Sequence, residues 1–419
     1  VAEAYIIDAA RTPRGIGKAG KGALAHLHPH HLAATVLKAL RDRNNLDTAD
    51  VGDVIWSVTH QRRQQACDLG RMAALLAGYD TQVSGVTLDR FCGGGITAVS
   101  LAAGQIMAGV EDCLVAGGSE MMSLSTQFNK NEVDAGWPVL GIAAGDLALQ
   151  EMHPQCSQGV AADAIATLEG FSREQLDAAA YVSQQRAAVA IREGRFARSL
   201  VPVLNVDGGV ALDHEENPRP DTSLAGLAAL KPAFEAMADA PIGFTAETHR
   251  QAILRRYPDL RIRHLHHAGT SSGVVDGAAS VLLASPDYAR RKGLRPRARI
   301  VAMANVGDDP TLQLNAPVPA AKKVLAKAGL AKEDIDLWEI NEAFATVSEK
   351  FIRDLDLDRE RVNVNGGAMA LGHPIGATGA ILIGALLDEL ERTEKRRGLV
   401  TMCASGGMAP AMIIERLDA

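Results

Sequence analysis

The sequence predicts an α/β protein made of two related halves with a separate segment inserted between them. Three observations carry this. Strand-like runs alternate with helical ones towards both ends of the chain, as expected for α/β layers on mainly parallel or mixed sheets. The stretch VTLDRFCGGGITAV is echoed far downstream by VNVNGGAMALGHPIGATGA, each reading as a short strand, a glycine-rich turn and a helix of small residues. Between the two halves the texture turns polar and Pro-rich.

The echo extends to neighbouring elements. HLAATVLKALRDRNNLDTADVGDVIW matches PAAKKVLAKAGLAKEDIDLWEI, a helix, an Asp-containing turn and a strand, and DCLVAGGSEMM pairs loosely with RGLVTMCASGGM. The offset is about 280 residues throughout, which indicates one duplication rather than a solenoid. The first half opens on the strand YIIDAA, takes residues 1–121, and is completed by 269–292, where HAGTSSGVVDGAASVLLAS ends as a strand. Residues 122–268 form the insertion, an inserted loop domain that covers a site. They contain the amphipathic helix SREQLDAAAYVSQQRAAVAIREG, the stretch HEENPRPDTS and the charged segment RQAILRRYPDLRIRHLHH. Residues 293–419 form the second half, beginning with the strand RARIVAMANVG. Two long stretches, Gly93–Val110 and Asn363–Leu387, carry no charge with His neutral. Their Gly, Ser, Thr, Gln and His content fits helices buried all round in a layered domain rather than membrane spans.

A chain of 419 residues exceeds one small core, and 47% apolar content supports a large one. The net charge of -7 gives no general attraction to nucleic acid or to an anionic membrane. The five cysteines, Cys67, Cys92, Cys113, Cys156 and Cys403, are irregularly spaced and form no CxxC. Neither a disulfide framework nor a zinc ribbon is expected. A reducing compartment, the cytoplasm, fits this usage and the absence of a visible signal peptide.

Four separated residues could do acyl chemistry. Cys92 stands between a strand and the start of a helix, where the dipole would lower its pKa and favour the nucleophilic thiolate. His373, expected after a strand with Pro374 in the first turn of the next helix, could take that proton or donate to a developing oxyanion. The duplication puts both at related strand-to-helix turns, so a pseudo-twofold would let them converge. Cys403 ends the strand GLVTMC ahead of ASGG, and a second thiol could move a proton at the carbon beside a thioester. That is a step of Claisen chemistry that hydrolysis does not need. Asn341 could fix a water or contact an oxygen.

At RFCG, NEAFA, GHPIGATG and the C-terminal Cys loop, and also at AARTP and SSGVVDGAA, the chain resembles the thiolase family. The resemblance runs over nearly the whole length. It implies a five-layered αβαβα fold, with Cys92 as acyl acceptor and Cys403 as acid/base at the substrate α-carbon. His373 would activate Cys92 and, with a water on Asn341, form one oxyanion site; the amides of Cys92 and Ser405 would form the other. Ser272 and Phe344 would line the pantetheine channel, and Arg219 would lie near the nucleotide end of coenzyme A. The implied reaction is thiolysis of a 3-ketoacyl-CoA by CoA, or its reverse, with CoA as substrate and no permanently bound cofactor. A homodimer or homotetramer is implied, with other β-oxidation enzymes as further partners. Four positions depart from the family pattern: Ser157 and Gln158 where His-Met is common, Thr270 in place of Asn, and Ser405 in place of Gly. An extra stretch of about 25 residues, Met237 to Arg261, gives a longer pattern closer to degradative ketothiolases. A short-chain biosynthetic acetoacetyl-CoA enzyme and a silent acyl-CoA-binding relative stand as alternatives.

Other signals are read structurally. Gly15-Ile-Gly17-Lys-Ala-Gly20 matches a dinucleotide fingerprint but lacks the following helix, and is taken as a surface loop. Gly269-Thr-Ser271-Ser-Gly273 matches the hydrolase elbow without its strand–turn–helix context. His26/His28/His30/His31 and His264/His266/His267 lack acidic or cysteine ligands at fixed spacing, so no metal is expected.

Overall fold

The computed structural model describes residues 2–138 and 140–417. Val1, Asp418 and Ala419, the outermost residues of the expected domains, lie outside the described residues. One mixed sheet runs Ser84–Leu88, Asp53–Ser57, Cys113–Met121, Val275–Ala284, Tyr5–Arg11, Ala298–Gly307, Met408–Arg416, Arg397–Thr401, Leu337–Ile340, with Gly15–Ile16 attached to Val275–Ala284. The order is nearly palindromic. Strands Asp53–Ser57 and Cys113–Met121 pair in parallel, as do their counterparts Leu337–Ile340 and Arg397–Thr401. The two halves meet where Tyr5–Arg11 pairs with Ala298–Gly307, through only two residue pairs, Tyr5↔Arg299 and Ile6↔Ala298. What the fold class describes as two sheets is therefore joined along one short edge.

Helices complete the layers. Pro29–Arg43 and Leu69–Leu76 cover the outer face of the first half, burying Leu32, Leu37 and Leu69 against Trp56. Pro317–Ala328 and Ala345–Asp354 cover the second, with Val324 and Phe351 against Trp338. Between the sheet halves lie Gly94–Ala108 and Ile375–Arg392, which share one core through Ile96, Val99, Ile381 and Leu386. Each fully buried residue of this kind contributes about 1.5–3 kcal/mol. The uncharged run Phe91–Ala108 is apolar enough to cross a membrane, yet it is mostly buried as half of this central layer.

Small residues let the two central helices cross closely. A Cβ on Gly95 would sit 2.9 Å from the backbone nitrogens of Gly379 and Ala380, and one on Gly379 would collide with the Ile96 nitrogen. The crossing is near-symmetric and brings together the N-terminal ends that follow Cys92 and His373.

The segment expected as an insertion opens with Met122–Asp134 and includes Gln158–Leu168 and Arg173–Arg192, the latter started by a reciprocal Ser172–Gln175 capping box. The return to the first half is the strand Val275–Ala284, which lies between Tyr5–Arg11 and Cys113–Met121.

Two local expectations fail. VNVN is not a strand: Val362 makes one isolated bridge to Trp338, and Asn363 turns to φ 47. The Asn363 side chain substitutes for a strand rung, accepting from Ile340 N at 2.9 Å and donating to Ile340 O at 2.8 Å. His373 accordingly follows a short helix, Ala368–Leu371, not a strand, and Pro374 stands just outside the next helix as its N-cap.

Candidate active site

Cys92 is reached from Ser84–Leu88 through a tight turn in which Phe91 takes φ 47, a conformation that a bulky residue rarely adopts. Gly93 then caps the helix Gly94–Ala108. A Cβ on Gly93 would press on Pro410 at 2.8 Å and meet Ala404 Cβ at 3.5 Å, so this turn packs against the turn that follows Cys403. Both thiols are buried, and that burial pushes the Cys403 thiol up, with charge on Cys92 adding to it.

Contrary to the expectation of a lowered thiol pKa, burial pushes Cys92 up to about 12. The negative charges of Glu120 and Asp89 add to this, while a hydrogen bond from Gln158 opposes it. The nucleophile therefore rests as a neutral thiol. Cys403, buried more completely, is also pushed up.

His373 is the complement. Burial holds its imidazole down at about 4, so it is neutral at physiological pH. Its Nδ1 lies 2.6 Å from Thr378 Oγ1, and that hydroxyl donates to Pro374 O at 3.0 Å. With its one proton committed, Thr378 must accept from Nδ1–H. The tautomer is thereby fixed, and the Nε2 lone pair is left buried and unpartnered. The backbone holds the ring in place, since His373 N donates to Gly273 O at 2.9 Å.

Asn341 is 1% exposed, and both side-chain polar atoms lack a partner. It borders a cavity of about 20 Å³ shared with Thr378, Gly372, Arg14 and Glu339, enough for one water. Its N–H donates to Thr401 O at 3.3 Å, which ties it to the strand leading to Cys403.

The residues expected to meet coenzyme A share one cleft of about 1230 Å³, lined among others by Arg219, Ser272 and Phe344. Ser272 N donates to Ala343 O at 3.0 Å, and Ser271 bridges to Phe344. The segment that runs on to His373's anchor, Gly273, thus forms the cleft wall. Phe344 stands edge-on to Phe234 at 5.7 Å and to His266 at 5.6 Å. Arg219 is exposed at the mouth, its backbone N–H held by Gln184 at 2.9 Å. The cysteines and His373 are not among the residues lining this cleft.

Other motifs resolve differently. Ile16, Gly17, Lys18 and Ala19, from the glycine run taken as a surface loop, border the cleft, and Lys130 lines it too. Ser271 Oγ, the nucleophile a hydrolase elbow would need, donates to His267 O at 2.9 Å. His264 and His266 both bond Asp163, and His267 bonds Asp177, so these histidines brace the helices Gln158–Leu168 and Arg173–Arg192. Among the described residues, no group of three or more His, Cys, Asp or Glu side chains is arranged to hold a metal ion.

Sequence reasoning missed Thr378 and Glu120. Glu120 is fully buried, takes Thr59 N at 3.0 Å and Gly376 N at 3.1 Å, and puts negative charge near both Cys92 and His373. A lone acid inside the apolar strand CLVAGGSEM was its only signal.

The N-terminal thiolase domain model matches residues 4–240 and the C-terminal one residues 294–416. The chain belongs to the thiolase family. Thiolases are acyltransferases that use coenzyme A as a substrate, and this chain is an acyltransferase of that kind. It is 39% identical to the steroid 3-ketoacyl-CoA thiolase FadA6 of Mycobacterium tuberculosis, over 99% of this chain and 94% of that protein. Identity is also 39% to the 3-oxoadipyl-CoA/3-oxo-5,6-dehydrosuberyl-CoA thiolase of Escherichia coli, over 99% and 100%. The crystal structure of the Bacillus anthracis acetyl-CoA acetyltransferase superposes with a TM-score of 0.83 at 34% identity, covering 99% of both chains.

Proposed function

We propose that this thiolase cleaves 3-ketoacyl-CoA with coenzyme A, or runs the reverse condensation, through an acyl-Cys92 intermediate. The observation that carries the reading is the neutral pair it would start from: a thiol on Cys92 and an imidazole on His373 whose Nε2 is bare. The Cys92 proton passes to Nε2 as the sulfur attacks the keto carbon. The bond between that carbon and the α-carbon breaks, leaving the acyl group on Cys92. Cys403 gives its proton to the α-carbon, and acetyl-CoA departs. An incoming CoA thiol then takes the acyl group and returns a proton to Cys403, while Cys92 recovers its own from His373. Asn341 holds a water at one oxyanion position and the amides of Cys92 and Ser405 serve the other. Ser272 and Phe344 guide the pantetheine arm and Arg219 meets the nucleotide end.

A degradative role is supported by the names of two relatives, a steroid 3-ketoacyl-CoA thiolase and a 3-oxoadipyl-CoA/3-oxo-5,6-dehydrosuberyl-CoA thiolase, and by the extra segment Met237 to Arg261. The family resemblance adds a homo-oligomeric state. The test is CoA-dependent cleavage of 3-ketoacyl-CoA esters from acetoacetyl-CoA upwards. Cleavage favouring longer or bulkier chains is expected; a preference for acetoacetyl-CoA would favour the biosynthetic alternative, and no cleavage at any length would overturn the proposal.

A further inference from the structure

The strand Leu337–Ile340 ends just before Asn341 and has two different faces. Trp338 and Ile340 pack outwards into the core that holds Val324 and Phe351, while Leu337 belongs to the core of the central helices. Alternation puts Glu339 on the face of Leu337. It carries Asn341 to the same side, since Asn341 N continues the ladder to Thr401 O at 3.3 Å.

Both residues line the cavity of about 20 Å³, together with Arg11, Arg14, Asn365 and Thr378. Its polar walls do not satisfy one another. Both side-chain atoms of Asn341 and two nitrogens of Arg11 are buried without a partner. Glu339 is 5% exposed, and among the described residues no donor or cation pairs with its carboxyl. The guanidiniums of Arg11 and Arg14 are committed to Glu215, at 2.6 and 2.8 Å. A carboxylate buried without a donor or a paired cation is strongly disfavoured, so this group stays protonated. Burial pushes it well above the usual carboxylate range; the charges of Glu342 and Glu389 add to this, and those of Arg14 and Arg186 oppose it. A neutral acid can do what a carboxylate cannot, which is donate.

We propose that Glu339 is a positioning residue: its acid proton, relayed by one water in the cavity, turns Asn341 Oδ1 inward and leaves Nδ2 facing the oxyanion site. The inference rests on the proposed reaction, in which Asn341 holds the oxyanion water. A water that accepts from Nδ2 keeps both of its own hydrogens, one of them for the oxyanion. An ionised Glu339 would draw Nδ2 inward instead and set a negative charge beside the developing one. Thr378, on the wall of the same cavity, does the equivalent for the ring of His373.

The experiment has two arms. The first is the infrared difference spectrum of substrate-free wild type minus Glu339→Gln at neutral pH. It should contain the carbonyl stretch of a protonated carboxylic acid; carboxylate bands in its place would overturn the proposal. The second is steady-state cleavage of a 3-ketoacyl-CoA by variants whose melting temperatures are also measured. Glu339→Met, similar in length but without a donor, should lower kcat about tenfold with KM and melting temperature unchanged. Glu339→Gln, which can still donate, should recover most of that loss. Added to Asn341→Ala, Glu339→Met should lose nothing further, because the acid acts through the asparagine. Wild-type kcat in Glu339→Met, additive losses in the double variant, or a kcat that falls only in step with melting temperature would each overturn the role. Should Glu339→Met not fold, the infrared arm and the kcat of Glu339→Gln decide. The infrared arm needs no substrate, so failure of wild type to cleave any 3-ketoacyl-CoA would sink the proposed reaction while the band still decides the state of Glu339.

Discussion

Thr378 Oγ1, with its proton on Pro374 O, leaves His373 one arrangement, Nδ1–H outward and Nε2 bare. Thr378→Val should lower kcat and Thr378→Ser should restore most of it, because the hydroxyl, not the methyl group, sets the tautomer. With the histidine held near 4, its base form persists well below neutrality. The acid limb of kcat/KM should then fall near pH 4; a midpoint between 6 and 7 would show an unperturbed imidazole. A lowered histidine pKa also makes the folded state bind fewer protons than the unfolded one between the ordinary value of 6.5 and about 4. Stability from this group therefore declines as pH falls through that window. The thiols should separate by role: Cys92→Ser loses acyl transfer altogether, while Cys403→Ser still gains acyl mass on Cys92 but makes no carbon–carbon bond. Equal loss of acylation in both variants would contradict the assignment. These side chains could be picked out from the sequence because each sits in a short motif. The state of the Cys92 thiol could not, because it depends on burial by elements far along the chain.

At the level of elements, the crossing of Gly94–Ala108 over Ile375–Arg392 sets the site. Gly379→Ala places a methyl group against the backbone at Ile96, and such overpacking costs about 1–3 kcal/mol. The expected outcome is a lower melting temperature with a disproportionate drop in kcat, since the helix starts beside Cys92 and His373 are forced apart; unchanged kinetics would show that the approach is not needed. The repeated glycines and the uncharged runs Gly93–Val110 and Asn363–Leu387 announced this layer in the sequence. The stretch VNVN misled because its alternation reads as a strand, whereas Asn363 supplies the rung from its side chain. The glycine run at Gly15–Gly20 was read as a surface loop and its Lys18–Gly20 end is exposed, but nothing local reveals that it borders a cleft also lined, some 200 residues on, by Arg219.

For the whole molecule, Glu215 ties the segment between residues 122 and 268 to the first strand. It accepts from Arg11 at 2.6 Å and from Arg14 at 2.8 Å, all three side chains buried, and the two guanidiniums hold its carboxyl down at about 2 despite burial. Removing it strands two buried cations, so Glu215→Ala should cost about 3–5 kcal/mol in chemical denaturation. Because its folded pKa is depressed, its contribution is present above 4.5 and is lost as pH falls towards 2. Wild type should thus lose stability more steeply across that window than the variant does. The duplicated architecture could be read from paired motifs, but the edge joining the halves could not, since two residue pairs leave no pattern. The place of Val275–Ala284 in the sheet has one more consequence. Tyr5–Arg11, made first, finds its main neighbour only once residue 284 exists, and the apolar face of Gly94–Ala108 waits longer still for Ile375–Arg392. During synthesis the early part of the chain must therefore stay unfinished, with sheet edges and apolar surface uncovered, until most of the protein has left the ribosome.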